Sequence, residues 1–418
     1  MDQDTSFMRM RASSARFADG AVIDEPTDSR IVSYLLPLEK PGSKNGNGNN
    51  SNSSQRNAFK KALYSTFNHA AEGVISPYLF YDPPKAQKDQ NSHPWGVQDE
   101  VAYGAKAWDV HISESTDQNA SHAKQNAYSF AEGDVEAINT ALEEGLLERL
   151  PRLMTFYSYG PGELIAVRQK DCLLIENILD GGFHRISSFN AVDINDRYAY
   201  DAVHEVHQRF NLESKAIHGD FMEGQLMLGN KVGTSVVAVF GGPFANAPAI
   251  KGAATAKQKA AQYFAQMTNQ HGMGTRLIMG VDMESDPKKL MADYAATKTF
   301  EAFILSAFPR AVQEGIIKNK NYNVFDNWRL VPEFDEEQRT VRLNAECKRS
   351  HTVNTEDSSF KFKKDERLVF TLSHKWNQQD WTEILTAAGF DQVEFFGNKP
   401  GKKIMTARAI NEPNLYLS

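Results

Sequence analysis

Cysteine is nearly absent from this chain. Cys172 and Cys347 are the only two in 418 residues, and they lie too far apart for a metal-ligand spacing or a disulfide framework. There is no lysine or arginine tract, and the formal net charge is −7, which argues against nucleic acid or an anionic membrane as the main partner. No apolar run approaches the roughly 18 residues that a membrane helix needs. The start has no charged-then-apolar targeting pattern. The expected setting is therefore soluble, reducing and cytoplasmic. His204-Glu205-Val206-His207 lacks the four-residue spacing that would put both rings on one helical face, so no metal is expected. A Ser-His-Asp set with an elbow turn is missing, as is any internal repeat.

What remains is organised in blocks. Residues 1–56 read as a flexible tail, since Gly42 to Ser54 is low-complexity and builds no core. Residues 57–150 read as mostly helical and as contributing to a substrate domain. The Pro-rich segment Ser76-Pro77-Tyr78-Leu79-Phe80-Tyr81-Asp82 forms a loop among them. From 151 onward strands and helices alternate, which argues for a parallel sheet covered on both faces. Strands are expected near 153–158, 187–193, 214–218, 235–241 and 275–282, with helices at 163–179, 196–209, 255–270 and 287–315. Antiparallel strands follow near 327–334, 339–347 and 368–373. A helix then leads into a closing hairpin at 391–396 and 403–409. The fold class is α/β: residues 151–285 and 376–418 form a Rossmann-like domain, and 286–375 form an inserted, smaller substrate-binding domain.

The stretch Ser235 to Asn246 organises this plan. Val236-Val237-Ala238-Val239-Phe240 reads as a strand buried on both faces. Gly241 and Gly242 let the backbone turn sharply and approach a ligand at the carboxyl edge, where open α/β sheets bind ligands. Asn246 then sits where it either caps a turn or meets a bound molecule. The first strand ends in Ser158-Tyr159-Gly160-Pro161-Gly162, a Gly-x-Gly without the rest of a dinucleotide fingerprint. Asp193 ends the second strand, where an acid either caps a helix or binds ribose hydroxyls. Asp220 and Phe221 follow the third, as a turn acid and core ring or as partners for an adenine. An adenosyl ligand without a pyrophosphate needs no fuller glycine motif. This pattern points to S-adenosylmethionine.

With these residues quoted, the chain resembles the histidine-specific, S-adenosylmethionine-dependent methyltransferase family over about 75–410. The likeness is clearest in Phe240 to Asn246, in Leu277 to Met283 with Asp286-Pro287 and Asp293-Tyr294, and in Glu366 to Trp376. The resemblance implies a seven-stranded sheet with a last, antiparallel hairpin. It implies that Gly160, Gly162 and Gly241 border the cofactor, that Asp193 holds its ribose, and that Asp220 with Phe221 holds its adenine. It implies a carboxylate anchor in Asn246 and Tyr294 and a tyrosine near the substrate amine in Tyr81, with Tyr103 a further guess. The strand that reads the acceptor side chain carries Thr371 and Ser373, and Thr371 stands where the family has Glu. Ser158 stands where the family has an acid. The expected partner is a small-molecule amine, an amino acid or something like one, with the side-chain preference changed from histidine. The alternatives are a non-catalytic cofactor-binding protein and a methyltransferase acting on another amine or a hydroxyl. The oligomeric state is not readable.

Overall fold

The computed structural model describes residues 50–81, 104–116, 130–222, 226, 228, 231–252, 254–294, 297–319, 322–397, 401–410 and 413. Tyr103 and residues 1–49 of the expected tail lie outside this set.

Among the described residues the chain begins with helix α1 (Asn50–Phe67), so regular structure starts inside the stretch read as tail. Strand β1 (Ala71–Glu72) and a short 3-10 turn (Ser76–Phe80) follow, then helices α2 (Ala105–Thr116) and α3 (Phe130–Glu143). The alternating region comprises β2 (Leu153–Tyr159), α4 (Leu164–Gln169), α5 (Asp171–Asp180), β3 (Arg185–Asp193), α6 (Asp196–Phe210), β4 (Ser214–His218), β5 (Thr234–Val239), β6 (Ala249–Ile250), α7 (Ala256–His271) and β7 (Arg276–Asp282). Next come α8 (Pro287–Asp293), α9 (Lys298–Ile304), α10 (Ala307–Gln313) and α11 (Val324–Asn327). They lead into β8 (Trp328–Asp335), β9 (Thr340–Cys347), β10 (His351–Asn354), β11 (Ser359–Phe362) and β12 (Arg367–His374). The chain closes with α12 (Gln378–Ala387), β13 (Phe390–Phe396) and β14 (Lys402–Ala409).

The main sheet has the order β13-β14-β7-β5-β2-β3-β4. β14 runs antiparallel to both neighbours, and the other pairings are parallel. This is the class I methyltransferase arrangement. The strand order reverses between β2 and β5, so the loops after those two strands open a crevice at the carboxyl edge. The buried strand Val236-Val237-Ala238-Val239 has no exposed face because helices cover both sides.

Residues 286–375 fold differently. β12, β9 and β8 make a three-stranded antiparallel sheet, and β10 pairs with β11 in a hairpin that the alternation pattern did not single out. The long helix read at 287–315 is three short ones. Thr297 caps α9 by accepting the Phe300 N–H, and Pro309 falls in the first turn of α10, where its missing N–H costs nothing. The helix read at 163–179 is likewise two, divided at Lys170.

One apolar core joins the N-terminal helices to this segment, with Phe59, Leu63, Phe67 and Ala107 packed among Phe300, Phe303, Phe308, Trp328 and Phe370. Neither partner can bury its apolar face alone. Phe308 is fully buried and stacks on Trp328 at 4.8 Å, with Phe370 at 5.1 Å. Phe308→Ala is expected to lower unfolding stability by about 3–5 kcal/mol, the range for deleting a buried ring. Denaturant titration followed by Trp fluorescence checks this.

Candidate functional site

Two cavities meet at the carboxyl edge of the main sheet. The first is bounded by the loops after β2, β3, β4 and β5. Gly160, Gly162, Asp193, Asp220, Phe221 and Gly241 all line it, together with Glu163, Lys170, Tyr198 and Asn246. The six residues read as bordering a cofactor thus converge on one space. The second cavity lies between that edge and the antiparallel segment, and its walls include Asn246, Tyr294, Thr371 and Ser373. Gly241, Asn246, Ser76, Phe80 and Trp108 line both.

Local backbone chemistry explains the convergence. Gly160, Gly162 and Gly241 adopt φ of 62°, 74° and 86°, a region that a side chain disfavours. A Cβ on Gly162 or Gly241 would meet no protein atom within 4 Å, so those positions face open space, the requirement for close approach of a ligand to backbone. Behind Gly162, the Glu163 carboxylate caps α4 by accepting the N–H groups of Ile165 (2.5 Å) and Ala166 (2.8 Å). Asp193 ends β3 with its Oδ1 accepting the Asn195 N–H at 2.8 Å. Its burial raises the carboxyl to about 7, against the lowering effect of the backbone donors at Asn195, Gly162 and Ile194. Asp220 accepts the Met222 N–H at 2.8 Å. The buried Phe221 ring is held by Tyr159 (5.0 Å) and Phe244 (5.8 Å), and Tyr159 in turn hydrogen-bonds the buried His271 at 2.7 Å. Ser158, the departure from an acidic first-strand motif, is buried in β2 and lines neither cavity.

The second cavity is mixed. Leu79, Phe80, Trp108, Phe300, Phe303, Ile304 and Leu343 make an apolar wall. Against it stand the side chains of β12, where residues at every second position share a face. Thr371, Ser373 and Lys375 therefore follow one another along the cavity. The Thr371 hydroxyl is buried and has no hydrogen-bond partner among the described residues. Ser373 Oγ lies 2.7 Å from Tyr294 Oη. His374, which also borders the second cavity, donates from Nε2 to the Ala247 carbonyl (2.9 Å) and contacts Thr340 Oγ1 through Nδ1 (2.8 Å), tying β12 to the turn that holds Asn246. Burial pushes its imidazole down to about 4, so it is neutral.

Among the described residues that the resemblance assigns to the site, Tyr81 is not brought to this space. It follows the Ser76–Phe80 turn in extended conformation, its hydroxyl donates to the Ser306 carbonyl at 3.3 Å, and Arg310 lies over its ring. It lines neither cavity; the neighbouring Phe80 does, at the boundary of both. The turn ends at Phe80, and the change to extended backbone sends the two rings in different directions.

Several charged groups went unread. Lys375 pairs with Asp282 at 2.6 Å, and Lys402 pairs with Asp134 at 3.0 Å, with Lys170 3.7 Å from the same carboxylate. All but Lys170 line the second cavity. For Lys375 a signal existed, because the two-residue period that puts Thr371 and Ser373 on one face extends to it. Asp134 and Lys402 are nearly 270 positions apart, and no pattern in the chain joins them.

Comparison with known proteins agrees with this geometry. Residues 159–406 match the family model described as histidine-specific methyltransferase, SAM-dependent. No curated protein sequence matches the chain. Among solved structures, an S-adenosylmethionine-dependent methyltransferase from Clostridium acetobutylicum ATCC 824 is 12% identical, with 67% of this chain and 92% of that one covered and a TM-score of 0.36. The CcbJ methyltransferase from Streptomyces caelestis is 10% identical over 67% and 90%, TM-score 0.35. SAM-bound CalS10 from Micromonospora echinaspora, an amino pentose methyltransferase involved in calicheamicin biosynthesis, is 12% identical over 75% and 100%, TM-score 0.31. Overlaps this loose carry no functional weight.

The raised Asp193 carboxyl makes stability pH-dependent. An unfolded aspartate titrates near 4, so folding favours the protonated form. That contribution is complete below about pH 4 and is lost as pH rises through about 7. Relative to Asp193→Asn, the wild type is expected to lose thermal stability between pH 4 and 7 in the absence of ligand. A melting-temperature difference that stays flat over this interval would contradict it.

Proposed function

Since the chain belongs to the histidine-specific, S-adenosylmethionine-dependent methyltransferase family, we propose that it methylates the amino group of an amino acid or amino-acid-like small molecule other than free histidine. The observation that carries this reading is the shared wall. Asn246 borders both the cavity ringed by Gly160, Gly162, Asp193, Asp220 and Phe221 and the cavity ringed by Tyr294, Thr371 and Ser373. A group held in the second is thereby within reach of one held in the first.

The first cavity fits the cofactor by two tests. The vacant Cβ positions of Gly162 and Gly241 give it room. The buried carboxylate of Asp193 is a suitable partner for a ribose diol, and Asp220 beside the Phe221 ring suits an adenine. When bound, the cofactor supplies an electrophilic methyl on a sulfonium. The protein's task is then positioning, because an in-line displacement needs only a neutral nucleophile held on the right axis. Asn246 and Tyr294 would grip the acceptor carboxylate and so aim the amine. An ammonium beside a sulfonium is disfavoured by like-charge repulsion, so its proton leaves to solvent without a dedicated base. Tyr81, bonded to Ser306 away from both cavities, has no part in this account.

The change of acceptor rests on Thr371. A carboxylate there would pair with an imidazole N–H, whereas a neutral hydroxyl makes a weaker bond. The wall facing it is apolar and aromatic, which favours an uncharged, flat side chain with one hydrogen-bonding group opposite Thr371. The expected outcome of calorimetry on an amino-acid panel is weak binding of histidine and tighter binding of an aromatic amino acid. Tight binding of histidine alone would sink the reading. In the same assay Tyr294→Phe is expected to weaken acceptor binding about tenfold while leaving S-adenosylhomocysteine affinity unchanged, and Asn246→Ala, at the wall both cavities share, is expected to weaken acceptor binding more than S-adenosylhomocysteine binding.

A further inference from the structure

Five residues line both cavities: Ser76, Phe80, Trp108, Gly241 and Asn246. A nitrogen that takes a methyl from a donor in the first cavity, while the rest of its molecule sits in the second, has to lie at this shared wall. The new N–C bond uses the nitrogen lone pair, so the N–H groups are what the protein has left to hold. An N–H needs an acceptor. The Phe80 ring offers none in its plane, and the Trp108 indole is a donor only. Among the side chains of the wall, the Ser76 hydroxyl and the Asn246 amide are the two that can accept. The amino-acid reading gives Asn246 to the carboxylate.

Ser76 is only 7% exposed, and its hydroxyl makes no hydrogen bond among the described residues. A buried hydroxyl without a partner is rare, because burial strips away the water it would bond. A ligand N–H at the wall supplies that partner. The backbone beneath the hydroxyl is fixed. The Gly73 N–H donates to the Val369 carbonyl of β12 (3.2 Å), and the Ser76 N–H donates to the Gly73 carbonyl (3.3 Å). Pro77 presets the start of the 3-10 turn. Arg310 Nη1 donates to the Tyr78 carbonyl at 3.0 Å, and Asn195 Nδ2 donates to the Phe80 carbonyl at 3.2 Å. Ile75 and Leu79 are buried on either side. Side-chain rotation is the freedom left to Ser76, so its oxygen is an acceptor placed in advance.

We propose that Ser76 holds the substrate amine, its Oγ accepting an amine N–H and so turning the nitrogen lone pair toward the first cavity. The place that the resemblance gives to Tyr81 falls to a residue at the other end of the same turn. This rests on the amino-acid reading above and names the group that aims its nitrogen.

The test is calorimetry on the full-length protein loaded with S-adenosylhomocysteine. The ligands are L-phenylalanine, L-tyrosine and L-tryptophan, each beside the 3-arylpropionate that keeps its carboxylate and ring but lacks the amine. In the wild type the best amino acid is expected to bind at least about tenfold tighter than its deaminated partner, the worth of a hydrogen bond from a charged group. Ser76→Ala should weaken the amino acid about tenfold and leave the deaminated partner unchanged. Transfer from labelled S-adenosylmethionine to the same amino acid should lose about tenfold or more in kcat/KM. Because Ser76 borders both cavities, affinity for S-adenosylhomocysteine should fall less than affinity for the amino acid, and that binding also reports that the variant is folded. The assignment is overturned if both members of the pair weaken equally, if the variant keeps wild-type affinity and transfer, or if the wild type binds the two members alike. Any of these leaves the carboxylate anchor standing. Failure of the wild type to bind any of the three amino acids would instead bring down the amino-acid reading, and the Ser76 assignment with it.

Discussion

Everything at this site depends on how the chain leaves β5. That strand is buried on both faces, so its polar continuation has to emerge at the carboxyl edge, and it does so through Gly241 and Gly242 at positive φ. The turn that follows carries Asn246 to the boundary of the two cavities. A side chain at Gly241 would be strained and would project into the space that a ligand needs. The backbone geometry of two residues therefore fixes the contact between the two cavities.

The second constraint is how the antiparallel segment is locked over that edge. Its core is not self-sufficient: Phe308, Trp328 and Phe370 pack against rings of the N-terminal helices, and the 3-10 turn with Phe80 and Leu79 is held down by the same cluster. The His374–Ala247 hydrogen bond then registers β12 against the Asn246 turn. A strand with an alternating face, pinned in register, presents Thr371, Ser373 and Lys375 in a row. The second cavity is thus a joint product of two cores, and its chemistry is that of a strand face opposite an aromatic wall.

Much of this was legible in the chain. The apolar run of β5 ending in glycine reads as a strand buried on both faces, where there is no room for alternation, and the succession of strands and helices gives the other four parallel strands. The residues at their carboxyl ends line one cavity, since the edge of an open sheet collects whatever follows each strand. Helix lengths were less legible. The stretch 287–315 reads as continuously helical because apolar residues recur at helical spacing, yet Thr297 and Pro309 restart the helix where local capping outcompetes propagation. Tyr81, which the family resemblance sets near the substrate amine, follows Phe80 in extended backbone and lines neither cavity.

By itself, then, the sequence determined the sheet, its carboxyl-edge loops and the replacement of an acid by Thr371, because burial, glycine conformation and residue identity are local properties. Only the tertiary structure decided how the charges pair. Asp282 with Lys375, and Asp134 with Lys402 and Lys170, come from elements far apart in the chain. An ion pair excluded from water is defined by distance in space, which no local pattern encodes. The orphaned Thr371 hydroxyl belongs to the same class: its residue type is written in the chain, but its lack of a partner is a fact about the packed cavity around it.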